Sequence, residues 1–348
     1  MNPYILATMF FSLGLGTTIT FASSHWLLAW MGLEMNTLAI LPLMAQHHHP
    51  RAVEATTKYF LMQAMGAATL LFASITNTWL TGQWDIQQMS HPLPITLITL
   101  ALALKIGLAP LHSWLPEVLQ GLNLTTGLIL STWQKLAPFA LIMQIQPTNS
   151  TLLIILGLAS TLVGGWGGLN QTQLRKILGY SSIAHLGWMI LIIQFSPSLT
   201  LLTLFIYIMM TFSIFLVFKL NNSTNINTLA ISSTKIPTLM ALTPLILMSL
   251  GGLPPLSGFM PKWLILQELT KQDLALTATL AALTTLLNLY YYLRLSYTLA
   301  LTMAPNNTAS TTPWRLPSLQ MTTLLAITTA LTLLLLPLTP SMTTLLTL

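Results

Sequence analysis

Residues 107–118 read GLAPLHSWLPEV, and residues 252–263 read GLPPLSGFMPKW. At an offset of 145, Gly107 pairs with Gly252, Leu108 with Leu253, Pro110 with Pro255, Leu111 with Leu256 and Pro116 with Pro261. Trp114 opposite Phe259 keeps an aromatic residue. Both stretches lie inside long apolar segments. Proline lacks an N–H donor and its ring clashes with the preceding turn, so neither segment can be one continuous helix. Kinks that merely aid packing are the alternative reading of either break alone. Two matched breaks, each near a lysine, point instead to an internal repeat with a purpose at the break.

The surrounding composition sets the solvent. Of 348 residues, 12 are Lys or Arg and 6 are Asp or Glu, so charged residues are 5% of the chain, against about a quarter in soluble domains. Hydrophobic residues make up 54%, and the mean hydropathy is +0.74. Eighteen charges cannot clothe a soluble domain of this size, and the chain reads as an integral membrane protein. About 20 mostly apolar residues make a transmembrane helix. Eleven segments fit: about 3–22, 25–45, 55–79, 93–121, 123–146, 149–170, 174–195, 197–219, 236–270, 274–297 and 318–340. The alternating pattern of a membrane β-barrel is missing. The predicted fold is therefore an all-α polytopic bundle in a single membrane domain.

The two broken segments are the fourth and the ninth, each the fourth in a run of five. Spans one to five (1–146) and six to ten (147–300) are expected to form two repeats, followed by a loop and a final helix over 301–348. An odd number of helices per repeat inserts the second upside down, as in ion transporters whose broken helices end near the bilayer midplane. On that topology one side carries Arg51, Lys58, Arg175, Lys176, Lys219, Lys235, Arg294 and Arg315, and the other only Lys271. The asymmetry puts the N-terminus and the basic loops on the inner side and the C-terminus on the outer.

Several function classes drop out. Without cysteine the chain has no disulfide, thiolate zinc site or cysteine-bound iron–sulfur cluster. A net charge of +6 is spread too thinly for nucleic acid. The first apolar segment is as long as the later ones and reads as a retained span, not a removable signal. His47, His48 and His49 cannot all turn toward one metal. The run Gly164-Gly165-Trp166-Gly167-Gly168 lacks the strand a dinucleotide loop needs, and small residues for close helix packing account for it better. No Walker, HExxH or nucleophile–base motif appears.

Four ionisable residues lie inside the spans: Glu34, Lys105, Lys135 and Lys262. A charge at the bilayer centre costs at least about 2.5–3.5 kcal/mol, and each of these is roughly ten residues from a span end, too deep for easy snorkelling. Burial disfavours a lysine's charged form and a nearby carboxylate restores it. A lysine whose carboxylate partner can be drawn away thus changes its proton affinity, and Glu34 with Lys105 is the candidate pair. Lys135 and Lys262 would carry the proton onward, with His112 and His185 as candidate relays. A static paired network is the alternative for the Glu/Lys set, and packing for each histidine.

The stretches KIGLAPLHSWLPEV from Lys105, WQKLAP around Lys135, LRKILGYSSIAHLGWM from Leu174 and GGLPPLSGFMPKW ending at Trp263 resemble one family. It is the antiporter-like, subunit-2 family of mitochondrial NADH:ubiquinone oxidoreductase, respiratory complex I. The resemblance runs from the MNP start to about residue 300, and the tail is compatible with it. It implies a proton-translocating membrane-arm subunit in the mitochondrial inner membrane, with the N-terminus facing the matrix. Glu34 and Lys105 would be the family's Glu/Lys pair, Lys135 its bridging lysine and Lys262 the lysine of the second broken helix. It implies no cofactor bound by this chain; NADH, FMN, iron–sulfur clusters and ubiquinone belong to other subunits. The implied partners are other membrane-arm subunits, antiporter-like ones included, and lipid, with no nucleic acid. Two alternatives stay open: a cation/proton antiporter subunit without electron transfer, and a structural scaffold.

Overall fold

The computed structural model describes residues 3–46, 49–89, 91–145, 150–231, 237–301 and 322–347. His47, His48, Lys235 and Arg315 lie outside the described residues. Among those described, every regular element is helical. The chain divides into two compact units, Met1–Ala159 and Ser160–Leu348.

In the first unit, α1 (Pro3–Ala22), α2 (Trp26–Met44) and α3 (Pro50–Thr81) follow one another. His25 caps α2, its Nδ1 accepting the Leu27 N–H at 3.2 Å. His49 caps α3 in the same way, accepting from Arg51 N–H at 3.3 Å. The expected fourth span is α4 (Pro92–Ile106), a break, and α5 (Trp114–Gly121). The fifth divides into α6 (Leu124–Ser131) and α7 (Trp133–Ile145), separated at Thr132. The helix α8 (Ser150–Gly168) carries the chain into the second unit.

The second unit continues with α9 (Leu174–Ile192), α10 (Pro197–Leu220) and the short α11 (Ile226–Ile231). The ninth segment is again two helices, α12 (Pro237–Gly251) and α13 (Phe259–Lys271), followed by α14 (Ala275–Leu301). The last segment is α15 (Thr323–Leu334), a 3-10 turn over Leu336–Leu338 and α16 (Thr339–Thr347), bent by 67°. Pro337 explains the bend, since it can donate no N–H to the turn before it. Among the described residues, seven helices are long and apolar enough to cross a membrane, or eight if the bent pair is one span.

The distribution of side chains is that of a protein solvated by hydrocarbon. Phe11, Trp79 and Leu276 are 68%, 86% and 71% exposed, while Asn36, Gln63, Asn77, Lys105 and Lys135 are buried. Backbone polar groups must be met within each helix at that depth, and close helix contact depends on small residues. Accordingly α1 and α2 meet at Gly16 and Gly32: a Cβ on either would stand 2.8 Å from the other's carbonyl oxygen. The glycine run of α8 serves the same end, with Gly164 against Ala184 and Gly168 against the Tyr291 ring.

The two breaks are built alike. Each first half-helix ends on a glycine in the left-handed region, Gly107 (φ 87°) and Gly252 (φ 80°), which L side chains adopt at a cost. Each break carries a cis X–Pro bond, Ala109–Pro110 and Pro254–Pro255. A second likeness lies elsewhere. The loop after α3 pairs with the start of α2 through Trp26 N–H to Trp84 O (3.1 Å) and Ile86 N–H to Ser24 O (2.9 Å). The loop after α10 pairs with the start of α9 through Leu174 N–H to Thr224 O (3.0 Å) and Ile226 N–H to Thr172 O (3.2 Å).

Candidate functional site

A helix that stops leaves its last carbonyls without donors, and in hydrocarbon each must find one. At the end of α4 the donors come from other elements. The Trp114 indole N–H donates to Leu104 O at 3.1 Å, and the Gln63 side-chain amide of α3 donates to Lys105 O at 3.2 Å. Gly66, one turn further along α3, leaves room for the lysine: a Cβ there would stand 3.0 Å from Lys105 Cγ. Lys105 is thereby held, 5% exposed, in the last turn of α4. Its Nζ has no hydrogen-bond partner among the described protein groups.

Lys105 lines a cavity of about 20 Å³ together with Lys135, Asn36, Thr37, Gln63 and Gln134. A water molecule fits in such a space. Lys135 reaches it from α7 and is 4% exposed. Both amide atoms of Asn36 are buried without a protein partner, while its backbone oxygen accepts from Gln134 Nε2 at 3.2 Å. Tyr59 and Trp114 close the cavity toward the apolar core, meeting edge to face at 5.7 Å. Glu34 is half-buried on α2. It does not line the cavity and makes no ion pair within 4.0 Å of Lys105. Its carboxylate accepts instead from Thr37 Oγ1 at 3.0 Å. His112 is half-buried at the break, its Nδ1 3.2 Å from Pro110 O.

At the second break the lysine itself is the donor. Lys262, in the first turns of α13, reaches back so that its Nζ donates to Gly251 O at 2.6 Å. Lys262 and His185 line one cavity of about 20 Å³ with Thr203 and Met210. The His185 ring leans on Tyr207, centroids 5.6 Å apart. In both units a lysine is therefore associated with the carbonyl end of the first half-helix, where the helix dipole favours a cation. Lys105 sits in that last turn and Lys262 reaches it from beyond the break.

One cluster escaped the sequence reading. Lys58 stands in the sequence only among the basic residues of the inner side. It lies two turns into α3, where its Nζ is 2.8 Å from both Glu54 Oε1 and Glu117 Oε2, all three groups exposed. The Glu54–Lys58 spacing of four was the available signal. Glu117 occupies, in the 145-residue register, the position of Lys262. The neutral residues of the first cavity, Asn36, Gln63 and Gln134, carry no charge to mark them within an apolar run, so the sequence holds no local signal for them. Among the described residues no three His, Asp or Glu side chains gather in a way that would hold a metal.

Fold and site together define a polytopic helical membrane protein with ionisable groups held in its interior beside water-sized cavities. The chain belongs to the NADH:quinone oxidoreductase/Mrp antiporter transmembrane family, whose model matches residues 23–288. A second model, the C-terminus of NADH dehydrogenase subunit 2, matches residues 289–343. NADH-ubiquinone oxidoreductase chain 2 of Tetraodon nigroviridis is 73% identical over 99% of both chains. The chain 2 of Salmo salar is 72% identical over the whole of both. Among solved structures, a chain of respiratory complex I from Thermus thermophilus is 27% identical, with a TM-score of 0.81 over 94% of this chain and 78% of that one. A chain of an archaeal membrane-bound sulfane sulfur reductase shares the fold at 20% identity, with a TM-score of 0.83 over 98% of this chain and 74% of that one.

Proposed function

We propose that the chain is a core membrane subunit of respiratory NADH:ubiquinone oxidoreductase, complex I, in which it translocates protons across the mitochondrial inner membrane. Relatives of that name match it from end to end at more than 70% identity. The match of its C-terminal residues to the subunit 2 model favours this reading over an antiporter without electron transfer. NADH oxidation, flavin, iron–sulfur clusters and ubiquinone reduction belong to other subunits, and antiporter-like subunits of the membrane arm are its neighbours.

The single observation that carries the site is the first cavity, where two buried lysines share space for water. Protons pass there between Lys105 and Lys135, with Glu34 setting the affinity of Lys105 through its charge. Lys262 and His185 do equivalent work in the second unit, and His112 serves as a relay or as packing at the first break. Eleven spans arise when α4 with α5, α9, and α12 with α13 are added to the eight apolar ones. The matched breaks and the matched loop pairings at α2 and α9 support two inverted five-helix repeats, spans one to five and six to ten. The distribution of basic residues supports a matrix-side N-terminus and a C-terminus on the intermembrane side.

The test uses the assembled complex in sealed vesicles. Glu34→Gln and Lys105→Met are expected to cut protons moved per NADH oxidised while the complex still assembles. Full coupled pumping by both variants would leave a scaffold as the better account.

A further inference from the structure

We infer that the Thr37 hydroxyl is the proton-carrying link between the Glu34 carboxylate and the cavity that holds Lys105 and Lys135. The inference rests on the proposed translocating role and names the group that connects its parts. Glu34 does not line the cavity, and no ion pair within 4.0 Å joins it to Lys105. Thr37, one turn along α2, does both things that Glu34 and Lys105 do not do for each other. It lines the cavity, and its Oγ1 lies 3.0 Å from Glu34 Oε2. The same oxygen lies 2.9 Å from the Glu34 backbone carbonyl.

A hydroxyl has one proton to donate and two lone pairs to accept with, so those two contacts cannot both be donated at once. With Glu34 ionised, the hydroxyl donates to the carboxylate, the stronger, charge-assisted bond. With Glu34 protonated, the acid O–H donates to Oγ1, and the threonine proton turns to the backbone carbonyl or to a water in the cavity. The position of one hydrogen thus follows the charge of Glu34.

Transfer balances along this line. The Glu34 acid gives its proton to Oγ1 as the threonine O–H passes its own proton to a cavity water. That water delivers a proton to the neutral Lys105 amine, leaving a carboxylate, an intact hydroxyl and an ammonium. The reverse order returns the proton. Thr37 is 6% exposed, and Lys105 Nζ has no protein hydrogen-bond partner, so the neutral amine is open to accept from a cavity water and the ammonium to donate to one.

The experiment compares Thr37→Val and Thr37→Ser in the assembled complex, with Lys105→Met alongside. The rate of NADH-driven proton uptake is measured in sealed vesicles and normalised to the rate of electron transfer from NADH to an artificial acceptor. Valine keeps the shape and removes the hydroxyl, so pumping is expected to fall at least about tenfold, below the roughly hundredfold a lost acid–base group typically costs because a cavity water partly replaces the hydroxyl. Serine restores it to within about twofold of the parent. Should valine prevent assembly, Thr37→Ala, which only removes atoms, replaces it. Normal pumping by the hydroxyl-free variant, or equal loss in the serine variant, overturns the assignment. Normal pumping by Thr37→Val beside lost pumping by Lys105→Met overturns Thr37 alone, whereas normal pumping by Lys105→Met overturns the translocating role beneath it.

Discussion

At the scale of single residues, the interior is organised around carbonyls that a broken helix leaves behind. Gln63 is 4% exposed and serves one of them, Lys105 O, from 42 residues away in the chain. Replacing it with leucine keeps the bulk and removes the donor. A hydrogen bond of this kind in a membrane protein is worth roughly 0.5–1.5 kcal/mol. Gln63→Leu is therefore expected to lower the temperature at which the purified complex loses this subunit, with the assembled complex still formed. An unchanged midpoint would mean that Lys105 O finds another donor. Residues of this type explain what the sequence concealed. Glu34, Lys105, Lys135 and Lys262 stand out because a charge in an apolar run is costly. Glutamine and asparagine stand out far less, and nothing local says that Gln63 faces the end of α4.

At the scale of elements, the breaks were legible and their construction was not. Proline at positions 110, 116, 255 and 261 announced that two helices stop. The glycines before them decide how: Gly107 and Gly252 turn the chain in the left-handed region. A Cβ on Gly107 would stand 2.8 Å from Leu115 Cδ1, and one on Gly252 would stand 2.7 Å from Lys262 Nζ. Gly107→Ala and Gly252→Ala are each expected to destabilise the subunit by about 1–2 kcal/mol from the backbone alone. Gly252→Ala should also displace the Lys262 amine from Gly251 O and reduce pumping. Gly14→Ala, with nothing near its Cβ and an ordinary helical backbone, is the control and should be neutral or slightly stabilising. Thermal midpoints and assembly yields of the three variants check the ranking. Equal behaviour of all three would show that the breaks tolerate an ordinary residue.

At the scale of the whole molecule, the open quantity is how many times the chain crosses the bilayer, and helix length frames it. The hydrocarbon core is about 30 Å thick and a helix rises 1.5 Å per residue. With 15 residues, α4 reaches only about 22 Å, and α5 with 8 residues about 12 Å. Neither crosses alone, and the two end to end do. The 15 residues of α12 and 13 of α13 give about 42 Å together. Each pair is therefore either one broken span or a loop that enters and returns. Odd and even counts place the flanking loops on opposite or equal sides. The chain has no cysteine of its own, so a single introduced thiol is the one site of labelling on the isolated subunit. Gln83 and Asn123 flank the first pair, and Thr224 and Gln272 the second, all four exposed. A membrane-impermeant thiol reagent applied to intact mitoplasts is expected to label Gln83→Cys and Gln272→Cys, and to reach Asn123→Cys and Thr224→Cys only after permeabilisation. Labelling of both members of a pair from one side would make that pair re-entrant. The inverted repeat could then not stand, because an even number of crossings per repeat would leave the two halves pointing the same way.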